Sequence, residues 1–328
     1  MDKELTDAFK QRIFNIRDEK AFNAVALSLF DYQKNHVDPY KKFINALGKN
    51  GSGISHYTQI PCIPVTLFRN HIVTDGTPVP ELVFTSSGTT ARSPSKHYVR
   101  DPELYNKSIL EGFQRMYGNP ADYIFLALLP SYLERSGSSL VYMMQLLINE
   151  SRNSESGFYL NMTNSLKQIL TTHKNSEKKI FLIGVTYALL DLAVDFEFDL
   201  SDAIIIETGG MKGTRKELIR AEVHEVLQNA FHTKAIHSEY GMTELLSQAW
   251  SKGGGLFSTP PWMRVLIRDV HDPFATAEKG LIHVIDLANI HSCAFLATQD
   301  LGRIADGNFI MSGRSDNSEQ RGCNLMLG

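Results

Sequence analysis

A run of hydroxyl-bearing residues follows an apolar stretch near residue 85. Leu82–Phe84 leads directly into Thr85–Thr90, which reads Thr-Ser-Ser-Gly-Thr-Thr. This pattern is typical of a strand that ends in a turn rich in hydroxyls and backbone N–H groups, where Gly88 lets the backbone approach an anion closely. The spacing differs from that of the G-x-x-x-x-G-K-[ST] loop. The segment therefore indicates either another kind of phosphate-binding turn or an ordinary polar loop.

A second segment with chemical potential is Tyr240–Glu244, which reads Tyr-Gly-Met-Thr-Glu. Its aromatic ring offers a flat partner for a nucleotide base, and its carboxylate is a hard oxygen ligand of the kind that Mg²⁺ prefers. The alternative is a strand-to-helix turn, in which Glu244 is a solvated acid that the helix dipole favours in the first turn.

Two shorter segments follow toward the end of the chain. Thr298–Arg303 reads Thr-Gln-Asp-Leu-Gly-Arg, and Gly313–Asp316 reads Gly-Arg-Ser-Asp. Each segment alone is also typical of a turn with a surface charge. Both segments follow the two described above along the chain.

Together the four segments resemble the nucleotide-binding motifs of acyl-adenylate-forming enzymes, which activate carboxylic acids with ATP. Gln299 stands where that family usually has a glycine. Longer stretches narrow the resemblance to the LuxE-type acyl-protein synthetases, and phenylacetate-CoA ligase is a more distant relative. These stretches are Leu129–Met143, Gly209–His224, Ile236–Ser251, Pro260–Asp269 and Arg321–Met326.

The resemblance implies a site for ATP and Mg²⁺. It implies that Tyr240 stacks on adenine, that Thr243 contacts the α-phosphate and that Glu244 holds Mg²⁺. The other positions that it implies for the nucleotide are Ser86, Ser87, Gly88, Thr89 and Thr90 at the β and γ phosphates, Gly209 and Gly210 at the adenine edge, and Asp300 and Arg314 at the ribose.

The resemblance also implies a second, covalent step. In LuxE-type enzymes a cysteine near the C-terminus carries the acyl group, and Cys323 is the position that matches. A lone cysteine is more often a small buried hydrophobe, but Gly322 and the positive charge of Arg321 favour an accessible thiol at this position. Cys62 and Cys293 lie in apolar contexts, which predicts that both belong to the core.

The substrate implied is a fatty acid or another carboxylic acid, and the implied partner is an acyl-accepting reductase or a carrier protein. An acyl-CoA or acyl-carrier ligase remains an alternative, as does a non-catalytic nucleotide-binding relative. The family's mobile C-terminal domain, with its lysine that assists adenylation, is expected to be missing after Gly328. Lys96 and Arg321 could replace that lysine, although solvated cations are the simpler interpretation.

The composition excludes several other classes of function. The chain has 328 residues, 43% of them hydrophobic, and a formal net charge of −3. It shows no basic patch for nucleic acid and no apolar run approaching the roughly 18 residues of a membrane span. Three cysteines without metal-ligand spacing predict free thiols and a cytoplasmic location.

The pattern of apolar residues predicts an α/β fold with layered, mostly parallel sheets and a small C-terminal β subdomain. The resemblance implies that this fold is the N-terminal domain of an adenylate-forming enzyme. We expect a helical segment at 1–58 with Asp18 as an N-cap, an α/β core at 59–252, and a β subdomain with a truncated hinge and Cys323 at 253–328. The predicted core strands are Val83–Thr85, Tyr123–Leu129, Lys179–Val185, Ala203–Glu207 and Lys234–His237. The predicted core helices are Glu103–Tyr117, Ser139–Glu150, Thr163–Thr172 and Thr214–Phe231. The predicted strands of the C-terminal subdomain are Met263–Arg268, Leu281–Asp286, Ala294–Thr298 and Phe309–Met311.

Overall fold

The computed structural model describes residues 3–48, 53–76, 80, 82–86, 93–129, 137–159, 164–173, 177–195, 199–209 and 219–315. The chain divides into two compact units. We call Pro78–Pro260 the central unit, and Met1–Thr77 together with Pro261–Gly328 the terminal unit. These boundaries differ from those of the three predicted segments, which remain a prediction.

The helices, in chain order, are α1 (Lys3–Phe14), α2 (Glu19–His36), α3 (Asp38–Ala46), α4 (Pro102–Tyr117), α5 (Ser139–Ser151), α6 (Asn164–Thr172), α7 (Thr186–Asp195) and α8 (Arg220–Phe231). The strands are β1 (Ile63–Pro64), β2 (Val83–Thr85), β3 (Lys96–Tyr98), β4 (Tyr123–Leu128), β5 (Gly157–Phe158), β6 (Lys179–Val185), β7 (Ile204–Thr208), β8 (His237–Tyr240), β9 (Ala249–Ser251), β10 (Leu256–Phe257), β11 (Met263–Arg268), β12 (Lys279–Asp286), β13 (Phe295–Ala305) and β14 (Asn308–Arg314).

The central unit is built on a sheet with the strand order β5-β4-β6-β7-β8-β9. The strands from β5 to β8 are parallel, and β9 runs antiparallel to β8. Strands β2 and β3 form a separate antiparallel hairpin. The predicted α/β fold with a mostly parallel sheet is therefore confirmed.

The sheet is buried on both faces, and the sequence of β4 explains how. Successive side chains of a strand point to opposite faces, so Tyr123, Phe125 and Ala127 share one face, and Ile124, Leu126 and Leu128 share the other. Ile124 and Leu126 join an aliphatic core with residues of α6, α7 and α8. Phe125 lies in an aromatic cluster with Phe113 and Phe181, at ring centroid distances of 5.5 and 5.0 Å. Burying one such side chain contributes about 1.5–3 kcal/mol to stability.

Trp250, on β9, belongs to the same aromatic cluster. Its ring meets those of Phe113 and Tyr117 edge-on, with centroids 6.3 and 5.5 Å away, and the residue is 3% exposed. The chain has one other tryptophan, Trp262, which lies in the terminal unit. It packs edge-on against Phe14 at 4.8 Å. Each unit thus contains one buried tryptophan.

In the terminal unit, helices α1 to α3 accompany antiparallel strands in the order β14-β13-β12-β11, with β1 parallel to β13. The predicted C-terminal β strands are therefore confirmed. Asp18 is the N-cap of α2, as predicted, because its carboxylate accepts a hydrogen bond from the Ala21 amide at 2.7 Å. The buried Gln33 joins α2 to the sheet by donating to the carbonyl of Asn289 at 2.7 Å and accepting from the amide of Ala294 at 3.0 Å.

Within the described residues, no helix combines the length and the apolar character needed to cross a membrane.

Candidate active site

The carboxyl ends of three parallel strands bring the candidate residues of the central unit together. In the sheet register, Thr208 of β7 lies beside Val185 of β6 on one side and beside Glu239 of β8 on the other. The chain therefore leaves β6, β7 and β8 at one edge of the sheet. Ligands of open α/β sheets bind at this edge, because the loops that follow the strands converge there.

The turn after β7 begins at Gly209, which the family resemblance predicts at the adenine edge. Gly209 has a φ of +71°, in the left-handed region that glycine adopts without strain. Its carbonyl accepts a hydrogen bond from the Thr186 hydroxyl at 2.9 Å. The turn is thus held against the first residue after β6. Gly210 lies outside the described residues.

A buried carboxylate, Glu207, organises the side of the sheet edge next to α8. Its Oε1 atom is 3.0 Å from Nε of Arg220 and 3.7 Å from Nε2 of His224, and its Oε2 accepts from the Thr186 hydroxyl at 3.3 Å. Burial alone raises the pKa of Glu207, but the hydrogen bond with His224, the charge of Arg220 and the hydrogen bond with Ser238 outweigh burial and lower it. Glu207 is therefore ionised in the folded protein at neutral pH.

A second carboxylate, Glu239, has the opposite electrostatic environment. It is partly buried, and its Oε2 atom accepts a hydrogen bond from the Thr208 hydroxyl at 2.7 Å. Burial and the nearby negative charge of Glu207 raise its pKa to about 7, against the smaller lowering effect of Thr208. Its Oε1 lies against Gly241, where an added Cβ would come within 2.3 Å of that oxygen. A larger residue at position 241 would therefore have to displace the end of the Glu239 side chain.

Neither carboxylate is among the site residues predicted from the sequence. A usable signal existed, since each acid is the penultimate residue of its strand and lies one or two positions before a candidate site residue.

Tyr240, the candidate adenine-stacking residue, is the last residue of β8 and is 6% exposed. Its ring packs edge-on against Phe257 at 5.9 Å, and its hydroxyl donates to the Met242 sulfur at 3.9 Å. The ring is thus fixed by neighbours of the central unit. Its role in stacking on adenine stays a prediction.

Glu244, the candidate metal ligand, lies in the segment 241–248 that joins β8 to β9, and it is 5% exposed. This segment is a turn, so the alternative interpretation of Glu244 as a solvated acid in the first turn of a helix is wrong. The chain reverses direction in segment 241–248, so that β9 pairs antiparallel with β8. Thr243, one residue earlier, accepts a hydrogen bond through its carbonyl from Nδ1 of His97 at 2.8 Å.

The β2–β3 hairpin positions the start of the hydroxyl-rich segment. The Ser86 amide donates to the carbonyl of Ser95 at 3.0 Å, and the Ser95 amide donates to the Ser86 hydroxyl at 2.9 Å. Ser86 and Ser95 therefore continue the pairing of the hairpin by one residue beyond β2 and β3. Lys96, a candidate for the role of the family's adenylation-assisting lysine, lies exposed on β3. Four further candidates lie outside the described residues, namely Ser87, Gly88, Thr89 and Thr90.

The candidate ribose pair lies in the terminal unit. Asp300 of β13 and Arg314 of β14 are cross-strand neighbours, and Nε of Arg314 is 3.5 Å from Oδ1 of Asp300. The Arg314 side chain is 61% exposed, whereas that of Asp300 is 11% exposed. The Asp300 amide donates to the Thr298 hydroxyl at 3.1 Å. The structure therefore pairs two residues that are 14 positions apart in the sequence.

The single carboxylate of Glu244 fits Mg²⁺, and the reason lies in how proteins hold this ion. Within the described residues, no cluster of three or more histidine, cysteine, aspartate or glutamate side chains could hold a metal ion. Mg²⁺ does not need such a cluster, because it is commonly held by one or two carboxylates together with substrate phosphates and water. A single buried carboxylate at Glu244 therefore fits an ion that arrives with a nucleotide.

The described thiols are buried, as predicted. Cys62 is 8% exposed and Cys293 is fully buried. Burial raises the pKa of Cys62 to about 12 and raises the pKa of Cys293 as well. Neither thiol forms a thiolate at neutral pH, and the thiolate is the nucleophilic form. Cys323 lies outside the described residues.

The fold is similar to that of solved structures. McyG A-PCP complexed with phenylalanyl-adenylate superposes with a TM-score of 0.51 at 17% identity, and the match covers 83% of this chain and 51% of that chain. O-succinylbenzoate coenzyme A synthetase (MenE) from Bacillus subtilis, in complex with ATP and magnesium ion, is also similar, with a TM-score of 0.49, 17% identity and coverage of 71% and 49%. The fold is that of the N-terminal domain of acyl-adenylate-forming enzymes.

The amino-acid sequence is similar to that of one particular ligase. The chain is 28% identical over 145 residues to the long-chain-fatty-acid–luciferin-component ligase of Aliivibrio fischeri, and the match covers 40% of this chain and 38% of that protein. The predicted resemblance to LuxE-type ligases is therefore confirmed. No protein-family model matches the chain. The chain spans less than two thirds of the length of these relatives.

Proposed function

We propose that this protein activates a carboxylic acid with ATP, forming an acyl-adenylate and pyrophosphate. The observation that carries the proposal is the arrangement of the central unit, where the turns at Gly209 and Tyr240–Glu244 leave the same edge of a parallel sheet. The hydrogen bond from His97 to Thr243 joins the second turn to the hairpin of Ser86. The sequence match to a fatty-acid ligase supports the same function.

In this proposal the protein acts mainly by binding and orienting two anions. Attack of the substrate carboxylate on the α-phosphate needs alignment of the two groups and neutralisation of charge. Thr243 contacts the α-phosphate, and Tyr240 and Gly209 bind the base. Ser86 begins the segment that binds the outer phosphates. Asp300 and Arg314 hold the ribose through the carboxylate and the exposed guanidinium.

Glu244 is the residue proposed to hold Mg²⁺ with the nucleotide. When bound, this ion offsets the negative charge on the phosphates. The carboxylate of Glu244 comes from a turn fixed between two paired strands, so it needs little reorganisation when the nucleotide enters.

The proposed second step moves the acyl group to the thiol of Cys323. The thiolate sulfur attacks the acyl carbon, a C–S bond forms, and the bond from that carbon to the phosphate oxygen breaks. AMP leaves, and the thiol proton passes to solvent. The raised pKa values of Cys62 and Cys293 argue against either of them as the acceptor. The thioester would then pass to an acyl-accepting reductase or a carrier protein.

The competing function is a ligase that passes the acyl group directly to coenzyme A or to a carrier. Incubation with ATP, Mg²⁺ and a labelled fatty acid, without coenzyme A, separates the two. We expect acid-dependent pyrophosphate exchange into ATP and a hydroxylamine-sensitive label on the protein. Exchange without a label would favour the coenzyme A ligase. If acids from acetate to long chains all fail to support exchange, adenylation itself is wrong.

A further inference from the structure

His97 lies between two candidate nucleotide-binding segments of the central unit. It is the middle residue of β3, where it pairs with Phe84 of β2, and it is 1% exposed. Its Nδ1 atom is 2.8 Å from the carbonyl oxygen of Thr243. A residue of the Ser86 hairpin thus contacts the turn that carries Thr243 and Glu244 through a buried polar group.

The chemistry of this contact assigns the tautomer of the imidazole. A carbonyl oxygen only accepts hydrogen bonds, so the Nδ1 atom must carry the proton and donate it. Burial lowers the pKa of His97 to about 4, although the hydrogen bond to Thr243 opposes this effect. The ring is therefore neutral at physiological pH, with its proton on Nδ1.

The other contacts of the turn show where it is held. Tyr240 at one end is paired with Ala249 at the other, as β8 meets β9. Within the turn, the Leu245 amide donates to the Met242 carbonyl at 3.1 Å. His97 adds a contact from a different element, at the residue directly before Glu244.

We propose that His97 is a positioning residue of the adenylation site, which holds the Thr243–Glu244 backbone at a fixed distance from the hairpin of Ser86. This inference rests on the proposed function. It extends that function to a residue outside the four sequence motifs, which acts on the substrate through Thr243 and Glu244. Small displacements of catalytic groups cost much of the rate, because phosphoryl-type transfer depends on alignment, and a misplacement of about 1 Å can cost about 100-fold.

Three substitutions test the role of the Nδ1 donor. The amide nitrogen of asparagine falls near the position of Nδ1, that of glutamine falls nearer Nε2, and leucine has no donor. We expect His97→Leu and His97→Gln to lower kcat for pyrophosphate exchange about 100-fold, with the KM for the acid unchanged. We expect His97→Asn to recover at least about tenfold of that loss. The matched control is His283→Leu, because His283 is 2% exposed in the terminal unit and its pKa is also lowered to about 4 by burial.

The outcomes separate this inference from the proposed function. Equal defects in His97→Asn and His97→Gln would overturn the inference, because the position of the donor would then be irrelevant. Normal turnover in His97→Leu would do the same. If His97→Leu does not fold, the asparagine and glutamine pair still decides. Calorimetry of Mg²⁺-ATP binding gives a readout that needs no turnover. If the wild-type protein binds Mg²⁺-ATP but does not support exchange, adenylation is refuted. In that case, about tenfold weaker binding of Mg²⁺-ATP to His97→Gln, with normal binding restored in His97→Asn, would still support the role of His97. Absence of Mg²⁺-ATP binding to the wild type would overturn both.

Discussion

Replacing Glu239 by glutamine is expected to change how the stability of the protein depends on pH. A glutamate in the unfolded chain titrates near 4.5, whereas burial and the charge of Glu207 raise the pKa of Glu239 in the folded protein to about 7. Below pH 4.5 both states are protonated and the group has no effect on stability. As the pH rises from 4.5 to 7 the unfolded state ionises first, so the folded protein loses stability and the full loss is present above pH 7.

The size of this loss follows from the two pKa values. One pKa unit corresponds to about 1.4 kcal/mol, so the upper limit is about 3 kcal/mol. Partial exposure of Glu239 to solvent reduces the effect, and we expect about 1–2 kcal/mol. The amide of glutamine keeps the acceptor for the Thr208 hydroxyl but cannot ionise. Relative to wild type, Glu239→Gln should therefore gain about 1–2 kcal/mol between pH 4.5 and pH 8, or about 2–8 °C in melting temperature.

The assay is a melting curve for each protein at several pH values from 4.5 to 8. Glu207→Gln is the matched control, because Glu207 lies on the neighbouring strand and its pKa is lowered. The folded state favours its ionised form, so Glu207→Gln should lose a nearly constant amount of stability from pH 8 down to about pH 5, and the deficit should shrink only around and below pH 4.5. Parallel curves for wild type and Glu239→Gln would refute the electrostatic reasoning.

Three further predictions concern the proposed reaction. Glu244→Gln keeps the size of the buried side chain but loses its charge. Pyrophosphate exchange at saturating Mg²⁺ should therefore fall about 100-fold or more, which corresponds to at least about 2.7 kcal/mol. A large drop in melting temperature with normal exchange would contradict this role. Arg314→Leu should leave the melting temperature nearly unchanged, because an exposed ion pair contributes at most about 1 kcal/mol. The same substitution should raise the KM for ATP about tenfold. An unchanged KM would show that Arg314 does not bind the ribose. Cys323→Ser should still exchange pyrophosphate but should acquire no hydroxylamine-sensitive acyl adduct by intact-mass analysis; an adduct equal to that of wild type would move the acceptor elsewhere.

Where the sequence has a clear period, it predicts the fold well. The strand Lys179–Val185 is confirmed residue for residue, and the helix predicted at Glu103–Tyr117 begins one residue earlier, at Pro102. Helix α7 escapes prediction because its sequence, Tyr-Ala-Leu-Leu-Asp-Leu-Ala-Val, is apolar on almost every side and so has no helical period. The strand predicted at Lys234–His237 is misplaced, since β8 covers His237–Tyr240.

The error at β8 has the same origin as the missed part of the candidate site. His-Ser-Glu-Tyr is mostly polar, so it lacks the apolar pattern that predicts a buried strand. In the folded protein its polar side chains contact residues that are distant in the sequence. Ser238 contacts His224, and Glu239 accepts from Thr208. Motif spacing predicts a tyrosine or a glutamate that would meet a ligand, whereas the contact of His97 with Thr243 is visible only in the folded chain.

The placement of the two tryptophans gives each unit its own fluorescent reporter of unfolding. Trp250 lies in the aromatic cluster of the central unit, and Trp262 packs against Phe14 in the terminal unit. A buried indole shifts its emission to longer wavelength when water reaches it. Trp262→Phe therefore leaves a protein whose fluorescence follows the central unit alone, and Trp250→Phe leaves one that follows the terminal unit. Denaturant titrations of the two variants would coincide if the units unfold together and separate if one of them unfolds first.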